Sequence, residues 1–314
     1  MRKFMLFLAL AIGVAGAIAL FGSRNSSLTV VSTPVEKQYG PPKFIERPPQ
    51  PAVSTPAAPG VSADIVRMLA NSTNLKAFVE QAKQHPEKGG YAYAMTATSY
   101  CSSSREFVAR MRSRVQSTGD SSQPTFNQRI AAVEELERRC QGFAPGESAI
   151  ALYHEGLARG DVVLNAQVRL AEAKSLPFAE QAKVAREAMA LRDPQVLSRL
   201  ASFGAVMDEK LKEPVNYLDG KRFGGLSRRD YYTAWNVALC EFNQECDSPT
   251  TGPVLELCAT GNRCLANGLE LLRDDYRKHP ERWQQIEQMA QRIAVIIDTQ
   301  EVEALAPPVT RKSS

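Results

Sequence analysis

The sequence predicts an all-α protein, a helical bundle or irregular α-solenoid that follows an N-terminal transmembrane helix and a Pro-rich linker. Three observations carry that expectation. Apolar residues between Ser62 and Leu305 recur at three- and four-residue intervals, with proline or glycine between the runs. Alternating β-branched runs are absent there, so little or no sheet is expected. The stretch Phe4 to Phe21, FMLFLALAIGVAGAIALF, carries no charge.

That stretch is long enough to cross a bilayer core as a helix rising about 1.5 Å per residue. Arg2 and Lys3 precede it, and cations flanking such a segment stay on the cytoplasmic side. Residues 1–22 are therefore expected to be an uncleaved signal anchor that contacts the inner membrane through residues 4–21. The alternative is cleavage near Ala15 and Ala17, whose alternate small residues suit a signal peptidase and would release a periplasmic or secreted chain. No cysteine stands at the end of the run, which excludes a lipoprotein anchor. Ala9, Gly13 and Ala17 have the spacing of small residues that pack membrane helices together.

Residues 23–60 hold Pro34, Pro41, Pro42, Pro48, Pro49, Pro51, Pro56 and Pro59. Each proline fixes φ and removes a donor, so the segment is expected to be an extended spacer. A ligand for a proline-recognising partner is the other use of such a stretch.

Residues 61–305 are expected to form a helical periplasmic domain. The helices expected, in order, are Ser62–Leu69, Asn74–Gln84, Tyr91–Ser102, Arg105–Val115, Thr125–Cys140, Ser148–Ala158 and Val163–Ala173. Pro177–Ala190, Pro194–Lys210, Arg228–Phe242, Val254–Ala259, Arg263–Arg277 and Pro280–Thr299 follow. The last carries Trp283, Ile286, Met289, Ile293 and Ile297 on one stripe. Residues 306–314 are expected to be a disordered tail.

Two stretches are alike. Leu157-Ala158-Arg159-Gly160-Asp161 leads to a helix ending Arg169-Leu170-Ala171, and Ala190-Leu191-Arg192-Asp193-Pro194 leads to one ending Arg199-Leu200-Ala201. Asp161 and Asp193 are expected to cap these helices by accepting bonds from free backbone N–H groups. The pattern resembles the Sel1-like and tetratricopeptide helical repeats, which implies paired helices stacked side by side.

The six cysteines are Cys101, Cys140, Cys240, Cys246, Cys258 and Cys264. An even count in an exported chain points to disulfides. Cys101 and Cys140 end two helices and are expected to join them. The other four form C-x5-C-x11-C-x5-C, which allows three pairings; a helical hairpin would favour Cys240–Cys258 and Cys246–Cys264. Zinc ligands come more closely spaced, and no C-x-x-C redox pair is present. The segment AWNVALCEFNQECDS…ELCATGNRC, with Ala238, Cys240, Cys246, Asp247, Leu257, Cys258, Gly261 and Cys264, resembles a group of uncharacterised exported helical proteins of Gram-negative bacteria. The stretch Pro86–Ala92 through Cys101 resembles the same group. The resemblance implies a mostly helical fold and no particular activity.

Composition narrows the function. The 314 residues include 38 basic and 34 acidic side chains, intermixed, for a net charge of +4. No basic stripe with interleaved aromatics argues for nucleic acid. No Walker loop, dinucleotide fingerprint or H-E-x-x-H motif points to a cofactor or metal. Among three histidines, His85 and His279 precede proline, and only His154 stands in a helix where it could serve as a base. No serine lies in a nucleophile elbow. Gly220-Lys221-Arg222-Phe223-Gly224-Gly225 has the wrong spacing for a phosphate loop. Glu137 and Glu147 are available to a glycan hydrolase, which needs two carboxylates about 5–10 Å apart. Tyr91, Tyr93 and Tyr100, and Tyr231, Tyr232 and Trp235, are expected mainly in the core. No catalytic, cofactor or metal residue is therefore assigned. The expected role is binding or scaffolding of an envelope protein or peptide. The alternative is a cell-envelope hydrolase acting on wall glycan or peptide.

Overall fold

The computed structural model describes residues 60–118, 126–144, 147–210, 212–240, 242, 246, 252–261 and 263–308. The expected anchor at 1–22, the linker up to residue 59 and the tail beyond 308 lie outside those residues. Among the described residues no helix is long and apolar enough to cross a membrane.

The architecture is mostly helical. In chain order the helices are α1 (Ala63–Asn71), α2 (Leu75–Ala82), α3 (Gly90–Thr118), α4 (Phe126–Arg139), α5 (Ala149–Ala158), α6 (Val162–Ala173), α7 (Phe178–Ala190) and α8 (Pro194–Leu200). After a small sheet come α9 (Leu226–Leu239), α10 (Gly252–Gly261), α11 (Gly268–Asp274) and α12 (Pro280–Thr299). Side-chain caps fix several of the starts. Asn74 Oδ1 accepts from Ala77 N at 3.0 Å, and Asn267 Oδ1 from Glu270 N at 2.8 Å. Each satisfies a donor that the first helical turn leaves unpaired.

Helix α3 is the spine. The sequence suggests two helices there, broken near Ser102–Ser104; the structure runs them together over 29 residues, roughly 43 Å at a helical rise. Three separate cores hold it along its length. Tyr91, Ala92 and Met95 join a large cluster with Trp235, Ile286 and Ile293. Tyr93, Ala94, Ala97 and Cys101 pack with α1 and α2 around Phe78 and Val79. Val108 packs with Val133 and Leu136 of α4 and Leu255 of α10. Its small residues allow close approach: a Cβ on Gly90 would stand 1.8 Å from the carbonyl oxygen of Ala82.

A three-stranded antiparallel meander follows α8: β1 (Val206–Asp208), β2 (Glu213–Leu218) and β3 (Lys221–Phe223). Val206 pairs with Val215, and Asn216 with Phe223. This corrects the expected helix Pro194–Lys210, which stops at Leu200. Gly204 takes φ +63°, and a Cβ there would stand 2.5 Å from the carbonyl oxygen of Leu305, so a side chain does not fit. Buried Asn216 then donates to Ala201 O at 2.8 Å and ties the sheet to the end of α8.

Asp161 and Asp193 cap α6 and α8, as their positions before those helices suggest. Both are fully buried, and both reach the start of α3. Asp161 Oδ2 accepts from Tyr91 N at 2.8 Å, and Asp193 Oδ2 accepts from the Tyr93 hydroxyl at 2.8 Å and from Ser62 Oγ. The two alike stretches thus hold the same helix end.

Candidate functional site

The cysteines form three disulfides: Cys101–Cys140, Cys240–Cys246 and Cys258–Cys264. The first joins α3 to the end of α4, as expected. The favoured pairing of the other four is overturned. It needs α9 and α10 to lie together as a hairpin, but α10 packs on α4, where Arg129 Nε donates to Ala259 O at 3.2 Å. Each C-x5-C pair therefore closes on itself: Cys240 ends α9 and meets Cys246, and Cys258 of α10 meets Cys264 beyond that helix.

The residues weighed for catalysis are dispersed. His154 is exposed on α5, its ring at a steep angle to that of Tyr153 with 5.5 Å between centroids. His85 and His279 sit in turns beside Glu87 and Glu281. Glu137 pairs with Arg112. Glu147 accepts from Ala144 N and Lys76 Nζ, both at 2.9 Å, and those bonds hold its carboxyl below the ordinary range. A general acid would need the opposite shift. Tyr91 and Tyr93 are buried, with hydroxyls on Glu155 and Asp193; Tyr231 and Trp235 are core. The glycine-rich stretch at 220–225 leads from the β2–β3 hairpin into α9, and Gly225 N donates to Glu213 Oε1. Among the described residues, no group of three or more His, Cys, Asp or Glu is placed to hold a metal.

One constellation the sequence did not single out is built into α9, α11 and the start of α12. Arg229 and Asp230 each lie one helical turn before Thr233 on α9. Tyr276 packs beneath them just after α11 and is almost fully buried. Its hydroxyl donates to Asp230 Oδ1 at 3.0 Å and lies 3.2 Å from Thr233 Oγ1. Arg282, in the first turn of α12, places Nη2 2.7 and 2.9 Å from the two Asp230 oxygens. A cation at that helix end opposes the helix dipole, and Asp230 offsets this. The guanidinium carbons of Arg229 and Arg282 stand 5.8 and 5.5 Å from the Tyr276 ring centre. Arg229 also donates to Asp275 at 2.8 Å; Arg263 pairs with Asp274 and Asp275, and Arg277 with Asp274. Burial, opposed by the Thr233 bond, raises the Tyr276 phenol above its ordinary value, and Asp230 adds to the rise.

The formal charges in this network nearly cancel, yet its surface does not. In every pair the arginine is the more exposed partner. Arg277 and Asp274 have side chains 71% and 20% exposed, and Arg229 and Asp275 66% and 31%. Arg263 and Arg282 repeat the pattern. Ion pairs elsewhere go both ways: Arg138–Glu135, Arg169–Glu187 and Arg222–Asp208 also turn the arginine outward, whereas Arg292 is 22% exposed and Asp219 48%, and Arg192–Asp298 and Lys88–Asp64 turn their acids outward. A chain near charge balance therefore shows an arginine-rich face over α9 and α11. The runs Ser227-Arg228-Arg229-Asp230 and Arg273-Asp274-Asp275-Tyr276-Arg277-Lys278 mark it in the sequence.

Comparison of the chain with protein families, with curated proteins and with solved structures gives no match.

Proposed function

We propose that the chain is a single-pass inner-membrane protein whose helical unit stands in the periplasm and binds another envelope protein or peptide. The observation that carries this is the use of all six cysteines in disulfides, with no free thiol left. Such bonds persist in an oxidising compartment. The apolar segment at Phe4–Phe21 supplies the route to one and the attachment. A glycan hydrolase would need a free pair of carboxylates, whereas Glu137 and Glu147 are each held by a basic residue.

Cell fractionation with thiol labelling tests the proposal. Membrane-bound protein whose thiols react only after reduction and unfolding is expected, and cross-linking of that fraction should recover one specific partner. Soluble protein with freely reactive thiols would overturn the assignment.

A further inference from the structure

Leu226 opens α9 and is 88% exposed, the most exposed large apolar residue among those described. It lies one turn from Arg229 and Asp230, so helix geometry puts it on the arginine face. No side chain of its own caps the end it occupies: Gly225 takes φ +56° and no acid stands in the first turn, while Glu213 Oε1 accepts from Gly225 N just before it. An exposed apolar side chain thus stands one turn from the exposed guanidinium group of Arg229. It is the pairing found where proteins meet a charged bilayer: the apolar group enters the interfacial zone and the cations meet phosphates.

We propose that the face formed by Leu226, Arg229, Arg263, Arg277 and Arg282 docks on an anionic lipid surface. The proposal rests on the membrane-anchored reading above, because a tethered domain meets the bilayer at high effective concentration and weak contacts then suffice. Guanidinium groups suit the role, since each engages a phosphate through two parallel N–H bonds and is always charged. The partner aspartates, less exposed than the arginines, keep them in place. The pairs at Arg292 and Arg192 turn acids outward and would be repelled by such a surface.

The test uses the full chain reconstituted into nanodiscs of phosphatidylcholine alone or with phosphatidylglycerol. An environment-sensitive dye is attached to Ser227→Cys after oxidation, when every native cysteine is paired and the new thiol alone reacts. In anionic discs at low salt, a blue-shifted emission and several-fold stronger quenching by headgroup-labelled lipid are expected. Both should fade as salt rises, and both should be lost in the surface variants Leu226→Ser and Arg277→Glu. Equal emission in the two disc types would overturn the proposal, as would a shift that requires only a second, unlabelled copy. If the chain fails to enter discs, the anchoring reading falls instead. The same labelled chain added to vesicles of the two compositions then tests this face alone, again by emission and quenching.

Discussion

The hydroxyl of Tyr93 donates to the carboxylate of Asp193 at 2.8 Å across 100 residues of chain, with both side chains buried. Ser62 donates to the same oxygen, while Val196 N donates to the other at 2.8 Å. One carboxylate thus joins the start of α1, the first turn of α3 and the start of α8. Tyr93→Phe removes the bond to Asp193 and the 3.4 Å contact with Ser62 Oγ but leaves the carboxylate its other donors, and should cost about 1 kcal/mol. Asp193→Ala strands two buried hydroxyls and a helix cap, and should cost about 3 kcal/mol or more. Urea unfolding of the two variants checks the ranking.

Asp161 gives a pH signature. Burial raises its carboxyl above the ordinary value, against the opposing pull of the N–H groups of Leu164, Tyr91, Ala92 and Val163. A folded-state pKa above the unfolded one means that the folded protein holds the proton longer. The stability advantage is therefore full below the unfolded pKa and is lost as pH rises through the folded one. Asp64, Glu87 and Glu147 are shifted down and act in the opposite sense, losing their contribution as pH falls. Asp161→Asn removes one titration and leaves the others. The stability of the native protein relative to this variant should decline from about pH 4 upward, starting at the ordinary carboxyl value. Unfolding at a series of pH values measures it; a flat difference would count against a raised Asp161.

The disulfides should differ in worth. Cys101–Cys140 closes a loop with a sequence separation of 39, while the other two close loops with a separation of 6. By loop entropy, replacing the first pair with serines should cost about 4 kcal/mol and replacing Cys240 and Cys246 about 2 kcal/mol. Denaturation midpoints of the two double variants give the comparison.

Each bridge also joins cysteines that are neighbours in the sequence, the first with the second, the third with the fourth and the fifth with the sixth. A chain oxidised from its N-terminus forms every native bond without reshuffling. Peptide mapping of protein made with a thiol oxidase but no disulfide isomerase should show the native pairs only.

Helix α3 tolerates little bulk. Ala94 is fully buried against α1 and α2. Ala94→Leu should cost about 1–3 kcal/mol through overpacking, whereas the exposed Ala109 on the same helix should accept leucine with little change. Thermal unfolding of the two variants separates packing from helix propensity.

Much of the fold was legible. Pro280 with the stripe Trp283, Ile286, Ile293 and Ile297 marks α12, and an aspartate after a break marks α6 and α8. Local pattern failed where tertiary contacts decide. Ser102–Ser104 reads as a break, yet Cys101 and Val108 are gripped by different cores on either side and the helix continues. Val206–Asp208 is too short to show alternation, and pairing with β2 holds it in place. The symmetric C-x5-C spacing suits either pairing until α10 is seen to lie on α4. The arginine face was the least legible, because charge counting gives equal weight to both members of a pair. Which of them faces water depends on the depth of Asp230, Asp274 and Asp275 beneath their partners.

Val61 N donates to Leu191 O at 2.9 Å, beside the bond from Ser62 to Asp193, so the chain is sewn to the α7–α8 turn as soon as it comes into the domain. A pull on residue 60 does not simply unpeel α1. It is loaded onto a turn near the middle of the chain and shared through Asp193 with the first turn of α3. A fold gripped there carries traction at its centre, and stretching it from the N-terminus should break it in one step rather than helix by helix.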